Sequence, residues 1–194
     1  LRYNSMTISL PESIADITLQ QSIQLDKLNA RRDTLDDMSF IKRFLVIFTG
    51  IKYRDVSNVN VDDFNMMFAQ VSKALETESP FQDRFELDGI EYGFVPNLDE
   101  ITIGEYIDLS NYGNSLETMN KVMAVLFRPV IKTDAFGSYE IAAYDGTKDR
   151  AEIMKQAPMN IVSGMLVFFC SLSKELRSHI LKSTLAMEEQ KSKA

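Results

Sequence analysis

The sequence predicts an α+β fold, predominantly α-helical, in which two short β-hairpins are inserted between helices and a long helix closes the chain. Three observations carry this. Apolar residues recur every three or four positions over several segments, the spacing of helices with one buried face. Between residues 81 and 146 that rhythm gives way twice to β-prone runs broken by Gly-containing turns. The 194 residues, 45% hydrophobic and 25% charged, supply one sizeable core, which excludes a wholly disordered chain, a collagen-like repeat and a polytopic membrane protein. The expected organisation is a single domain over 1–186, with hairpins at 81–96 and 130–146 and a frayed or disordered tail at 187–194.

Taken in order, MTISL at 6–10 has the composition of a short strand before Pro11, and SIADITLQQSIQLDKL places Ile14, Ile17, Ile23 and Leu28 in a loosely amphipathic helix. The polar stretch NARRDTLDD separates it from MSFIKRFLVIFTG, where Phe40, Ile41, Phe44, Leu45, Ile47 and Phe48 form an apolar face and Gly50 is a natural stop. In VSNVNVDDFNMMFAQVSKALE, Asn60 is an N-cap candidate, Asp62 and Asp63 favour the first turn, and Phe64, Met67, Phe68, Val71 and Leu75 keep helical spacing.

After Ser79-Pro80 the pattern alternates: FQDRFELDGIEYGFVP reads as a hairpin about Asp88-Gly89. A short helix opens near Thr102, and a stronger one over SLETMNKVMAVLFRP is capped by Ser115 and closed before Pro129. VIKTDAFGSYEIAAYDG is the second hairpin, turning at Asp134 to Ser138. From Pro158 onward Ile161, Met165, Phe168, Leu172, Leu176 and Ile180 form one stripe. Met66, Met67, Met119, Met123, Met159 and Met165 fall in helical segments as pliable core filling, or as an adaptable surface for a partner helix.

The formal charge of −7 is concentrated. Asp83, Glu86, Asp88, Glu91, Asp99, Glu100, Glu105 and Asp108 face one base, Arg84, so this single segment holds the whole excess. Clustered Lys and Arg are missing, and direct nucleic-acid binding is not expected. Glu86, Asp88, Glu91, Asp99 and Glu100 become the candidate partner-binding residues, because acids on a short hairpin either meet a basic protein surface or keep an open strand edge unpaired.

Motifs that carry chemistry fail on inspection. One Cys and one His exclude an internal disulfide framework and a Cys/His zinc cluster. NLDEITIGEYID gathers carboxylates, but Leu98 and Ile101 interrupt the ligand positions of a calcium loop and Gly104 falls eighth instead of sixth. Ala143-Tyr144-Asp145-Gly146-Thr147 lacks the nucleophilic carboxylate of a haloacid-dehalogenase loop and reads as a turn. Ser171-Leu172-Ser173-Lys174 has no Lys-Thr-Gly companion, His179 lies on a polar helix face, and Cys170 is a small hydrophobe. Neither a phosphate loop nor a dinucleotide turn occurs. No catalytic, metal-binding or cofactor-binding residue is therefore assigned, and no cofactor is expected; distant carboxylates assembling in three dimensions are the remaining route to an enzyme.

The opening LRYNSMTISLPES lacks a basic region followed by an apolar run, so cytosolic synthesis is expected, with Leu1 leaving open a start upstream, an alternative start codon translated literally, or Met6 as the native start. The uncharged stretch from Ala157 to Ser173 contains Pro158, Asn160, Ser163 and Gly164, and reads as a buried helix with no membrane contact expected.

Three strings carry a resemblance: Glu91-Tyr92-Gly93-Phe94-Val95-Pro96-Asn97-Leu98-Asp99-Glu100 running into Gly104-Glu105-Tyr106-Ile107-Asp108-Leu109; Lys121-Val122-Met123-Ala124-Val125-Leu126-Phe127-Arg128-Pro129; and Pro158-Met159-Asn160-Ile161-Val162. Over about residues 80 to 175 the chain resembles virion morphogenesis proteins of tailed bacteriophages, notably crAss-like and other Bacteroidetes phages. The resemblance implies a non-enzymatic structural component of the virion, preferably of the head-to-tail connector or tail. It would be made in the host cytoplasm and carried in the particle. Its partners would be other phage structural proteins, and it could form a homo-oligomer. The alternative in the same setting is a tail assembly chaperone absent from the mature particle; a phage enzyme or host-takeover protein is the reading from another class.

Overall fold

Side chains that satisfy the first unpaired N–H groups set most helix starts. The computed structural model describes residues 2, 3, 6, 7 and 9–169. Among the described residues β1 (Arg2–Tyr3) and β2 (Met6–Thr7) form a two-residue antiparallel pair, and Ser9 and Leu10, part of the strand expected over 6–10, are not strand. The helix expected from Ser13 onward is divided. A capping box between Ser13 and Asp16 closes a single 3-10 turn, the backbone extends through Ile17 and Thr18, and a second box between Thr18 and Gln21 starts α1 (Leu19–Asn29). The break is held from outside: the Leu19 N–H donates to the Ala157 carbonyl at 2.9 Å, and the Met159 N–H to that of Ile17 at 2.7 Å. Seventeen to nineteen thus serve as a strand-like stitch, which a continuous helix could not.

Asp36 caps α2 (Asp37–Thr49), and Gly50 ends it in the left-handed region at φ 69°. A short α3 (Tyr53–Val56), not foreseen, leads to α4 (Val61–Leu75) with Asn60 as its cap. Ile17, Leu28, Phe44, Leu45, Phe48, Met67 and Val71 form the core of these helices. Met67 is fully buried, whereas its neighbour Met66 is exposed, a correction to its reading as core filling. Successive helical positions point about 100° apart, and in α4 the core lies on the side of Met67 and Val71, which leaves Met66 turned to water.

The remaining elements build a second core around a sheet. β3 (Arg84–Leu87) and β4 (Ile90–Phe94) are antiparallel about Asp88-Gly89, both at positive φ. α5 (Ile103–Tyr112) and α6 (Met119–Leu126) follow, then β5 (Phe127–Thr133), β6 (Tyr139–Ile141), α7 (Lys148–Met154) and α8 (159–169). The fold is α+β with one four-stranded antiparallel sheet, ordered β3-β4-β5-β6. Two separate hairpins were expected; β4 pairing with β5 joins them. α6 stops at Leu126, and Phe127-Arg128-Pro129, expected at the end of that helix, is strand. Pro129 disfavours a helical Arg128 before it, and Phe127 faces Phe94 across the ladder. β5 shares its length: 127–129 pair with β4 and 130–133 with β6, with an irregularity between Val130 and Lys132.

One face of the sheet puts Tyr92, Phe94 and Phe127 against α6 and α8, whose Met123, Ile161 and Met165 are buried. Phe168 of α8 is half-buried, with its ring stacked on Phe81 at 4.7 Å. On the other face Tyr139 lies over Gly93, where an added Cβ would come 2.8 Å from the ring Cδ2 and 3.1 Å from Ile141 Cγ2; the Tyr139 hydroxyl donates to the Phe94 carbonyl at 2.9 Å. α8 is approached as closely: a Cβ on Gly164 would sit 2.6 Å from the Pro80 carbonyl oxygen. Leu172, Leu176, Ile180, the tail 187–194, and Cys170, Ser171, Lys174 and His179 lie outside the described residues. Among the described residues no helix is long and apolar enough to cross a membrane.

Candidate functional site

The acidic segment divides into two groups at opposite ends of β4. Glu86, Asp88 and Glu91 lie on the β3–β4 hairpin, all exposed, and Glu86 stands directly across the ladder from Glu91. Like charges in that position repel; Arg84, 3.7 Å from Glu91, offsets part of it and also lies over the Tyr139 ring at 5.3 Å. Asp99 and Glu100 belong to the turn beyond the other end of β4 and are also exposed. There the Asn97 side chain accepts from the Asp99 N–H at 3.1 Å and donates to Glu100 Oε1 at 2.8 Å. The five candidate residues are surface residues but do not form one patch.

The turn leads into α5, whose start is fixed by a capping box: the Thr102 hydroxyl accepts from the Glu105 N–H, and Glu105 Oε2 accepts from the Thr102 N–H and hydroxyl, each at 2.7 Å. The other oxygen, Oε1, meets Arg128 Nη2 at 2.9 Å, with the two side chains 4% and 9% exposed. Arg128 reaches it because residue 128 faces Gly93 across the β4–β5 ladder and so shares the sheet face on which Tyr139 lies. Tyr144 completes the arrangement, its ring 5.9 Å from the Arg128 guanidinium and its hydroxyl donating to the Asp108 carboxylate. Burial, aided by the bond to Asp108 and that carboxylate's charge, pushes the Tyr144 phenol well above the usual tyrosine range. Burial pulls the Arg128 guanidinium down, against the charge of Glu105.

Thr102, Glu105, Arg128 and Tyr144 line a cleft of about 440 Å³ together with Val95, Asn97, Ile101 and Ile141. Both oxygens of Glu105 are engaged, and the Tyr144 hydroxyl donates to Asp108, so these two contacts tie α5 to the sheet and to the segment after β6. Glu105, counted among the segment's acids, is buried, and Arg128, outside the segment, offsets its charge. Among the described residues no three His, Cys, Asp or Glu side chains are placed to hold a metal ion.

α5 packs Leu109 and Tyr112 on the core but has mixed faces. Its carboxylates turn inward, Glu105 buried and Asp108 half-buried, while Ile103, Tyr106 and Ile107 are 79%, 63% and 50% exposed. The three share one face by their i, i+3, i+4 spacing. Sequence reasoning missed this stripe, as it missed Arg128 and Tyr144. The spacing was visible in ITIGEYID, but spacing alone does not say which face is turned to water. Comparison of the chain with protein-family models, curated proteins and solved structures gave no match.

Proposed function

We propose that the chain is a non-enzymatic structural component of a tailed-phage virion, preferably of the head-to-tail connector or tail, working through contacts with other phage structural proteins. The observation that supports this best is the exposed apolar stripe of Ile103, Tyr106 and Ile107 on α5. Apolar side chains on a helix exposed to water are costly unless a partner covers them, and a stripe rimmed by polar groups has the anatomy of an interface. Asp99 and Glu100 lie just before it in the chain. The open edge of β3 adds a place where a neighbouring strand could pair. The three resembling strings point the same way, and one of them runs through α5 itself.

Mass spectrometry of purified particles tests the reading: the chain should be present in fixed ratio to the other virion proteins, and a Tyr106→Asp, Ile107→Asp variant, folded in isolation, should be missing from them. A tail assembly chaperone is favoured by the same stripe if its cover is transient. It would be recovered with a tail protein from infected cells and not from particles.

A further inference from the structure

We infer that the chain associates head to tail with itself, the tip of the β5–β6 hairpin of one copy entering a pocket between α1 and α2 of the next. The knob is Phe136, 96% exposed, the most exposed large hydrophobic side chain among the described residues. Its presentation is built: Asp134 Oδ1 accepts from the N–H groups of Phe136 at 2.8 Å and Ser138 at 2.9 Å, so the turn holds its shape before any partner arrives. Ile131, 65% exposed on the same hairpin, extends the apolar surface. An aromatic side chain held out on a fixed turn loses little freedom on docking, which is the character of an anchor residue.

The pocket has a volume of about 500 Å³, with Leu28, Leu35, Val46 and Ile47 in its lining and Lys27, Arg31 and Arg43 among its polar members. Lys27 is neutralised by Glu117 at 2.6 Å. Arg31 and Arg43 have no acidic partner among the described residues; Arg43 lies over Tyr53, its guanidinium carbon 5.4 Å from the ring centre. An apolar pocket with two unneutralised guanidinium groups suits an aromatic ring with a carboxylate beside it, by ring–cation attraction and an ion pair. Phe136 with Asp134 is that combination. The neighbouring cation on the hairpin, Lys132, is already paired with Glu140 at 2.8 Å and does not oppose the approach. Knob and pocket lie on different parts of the chain, so each copy offers one of each, and such a contact repeats into a ring or a filament.

The inference stands on the knob and the pocket and does not depend on the virion reading, which particle composition tests separately. The experiment is sedimentation velocity on the full chain over a range of concentrations. Wild type should form species larger than a dimer, and Phe136→Ser should raise the dissociation constant about thirtyfold with an unchanged Tm. Arg31→Glu with Arg43→Glu should do the same. Mixing the two variants should restore association but stop at a dimer, because one copy keeps only the pocket and the other only the knob. Wild type that stays monomeric at about 1 mM overturns the proposal. So does a closed dimer indifferent to Phe136, or a monomer whose Tm falls on reversing Arg31 and Arg43, which would mean the pocket is filled by the chain's own residues.

Discussion

Removing the carboxylate of Glu105 tests whether α5 is pinned to the sheet by its buried ion pair. Glu105→Ala strands Arg128, whose Nε already lacks a hydrogen-bond partner. With side chains 4% and 9% exposed, water cannot replace the lost partner cheaply, and breaking such a pair costs about 3–5 kcal/mol. The Thr102 N–H and hydroxyl also lose Oε2, but Thr102 is exposed, so solvent recovers most of that and the loss adds only ~0.5 kcal/mol. The expected total is about 4 kcal/mol, or a fall in Tm of roughly 10 °C for a chain of this size. Arg128→Met should cost less, because the carboxylate keeps both Thr102 donors. Glu105→Ala with Arg128→Met removes both charges and should lie within about 2 kcal/mol of wild type, the two single costs failing to add. Urea denaturation followed by circular dichroism measures all three, read as a shifted midpoint at constant slope. A cost below ~1 kcal/mol for Glu105→Ala, or strict additivity in the double variant, would refute the pinning of α5.

Gly164→Ala should lose about 1–3 kcal/mol, because the new Cβ meets the Pro80 carbonyl oxygen at 2.6 Å and Phe81 Cα at 3.0 Å, both backbone atoms that cannot rotate away; a thermal melt suffices. Burial raises the pKa of Tyr92, Tyr139 and Tyr144 above 10.0. The fold therefore favours the neutral phenols, and their contribution is intact below pH 10 and is lost as pH rises past the unfolded value toward the folded ones. Tyr144→Phe should weaken the alkaline fall in stability, and phenolate absorbance should show a late-titrating group missing. Glu86→Lys should raise Tm slightly by replacing the repulsion with Glu91 across the ladder. In contrast, reversing Glu86, Asp88 and Glu91 together should leave the isolated fold intact and, if the hairpin meets a basic partner, keep the chain out of particles.

What the sequence made legible was local. Asn60 and Thr102 announce helix starts because their side chains bond to N–H groups three residues on, and Gly50 announces a stop because left-handed backbone is nearly its own. The α+β class follows from the change of rhythm after Pro80. What stayed hidden was made by distant partners. Nothing near Glu105 says that it is buried, since its countercharge arrives 23 residues later on β5. Thr18 interrupts a plausible helix only because residues 157–159 pair against it. The β4–β5 ladder that joins the hairpins is likewise non-local, and the short α3 and α7 carry too few residues for a period to show. Glu86, Asp88, Glu91, Asp99 and Glu100 were chosen by charge, and all five are exposed, as charged side chains ordinarily are whether or not a partner meets them; the apolar stripe beside Asp99 and Glu100 needed the fold to reveal which side of α5 faces out.

The packing of Tyr139 on Gly93 has a mechanical side. Past residue 129 the second hairpin leaves the shared ladder, and the ring against that bare backbone, with its hydroxyl on the Phe94 carbonyl, braces the ribbon's base. The ribbon then acts as a lever arm. Its tip lies about 10 Å beyond the brace at the rise of an extended strand, so a tilt of about 10° at Gly93 displaces Phe136 by about 2 Å. A methyl group at position 93 would overlap the Tyr139 ring, so the ring, or the ribbon base it braces, must give way. One small substitution, 43 residues away from the tip in sequence, could therefore re-aim the ribbon and change the curvature of whatever it joins, while leaving every residue of the tip as it was.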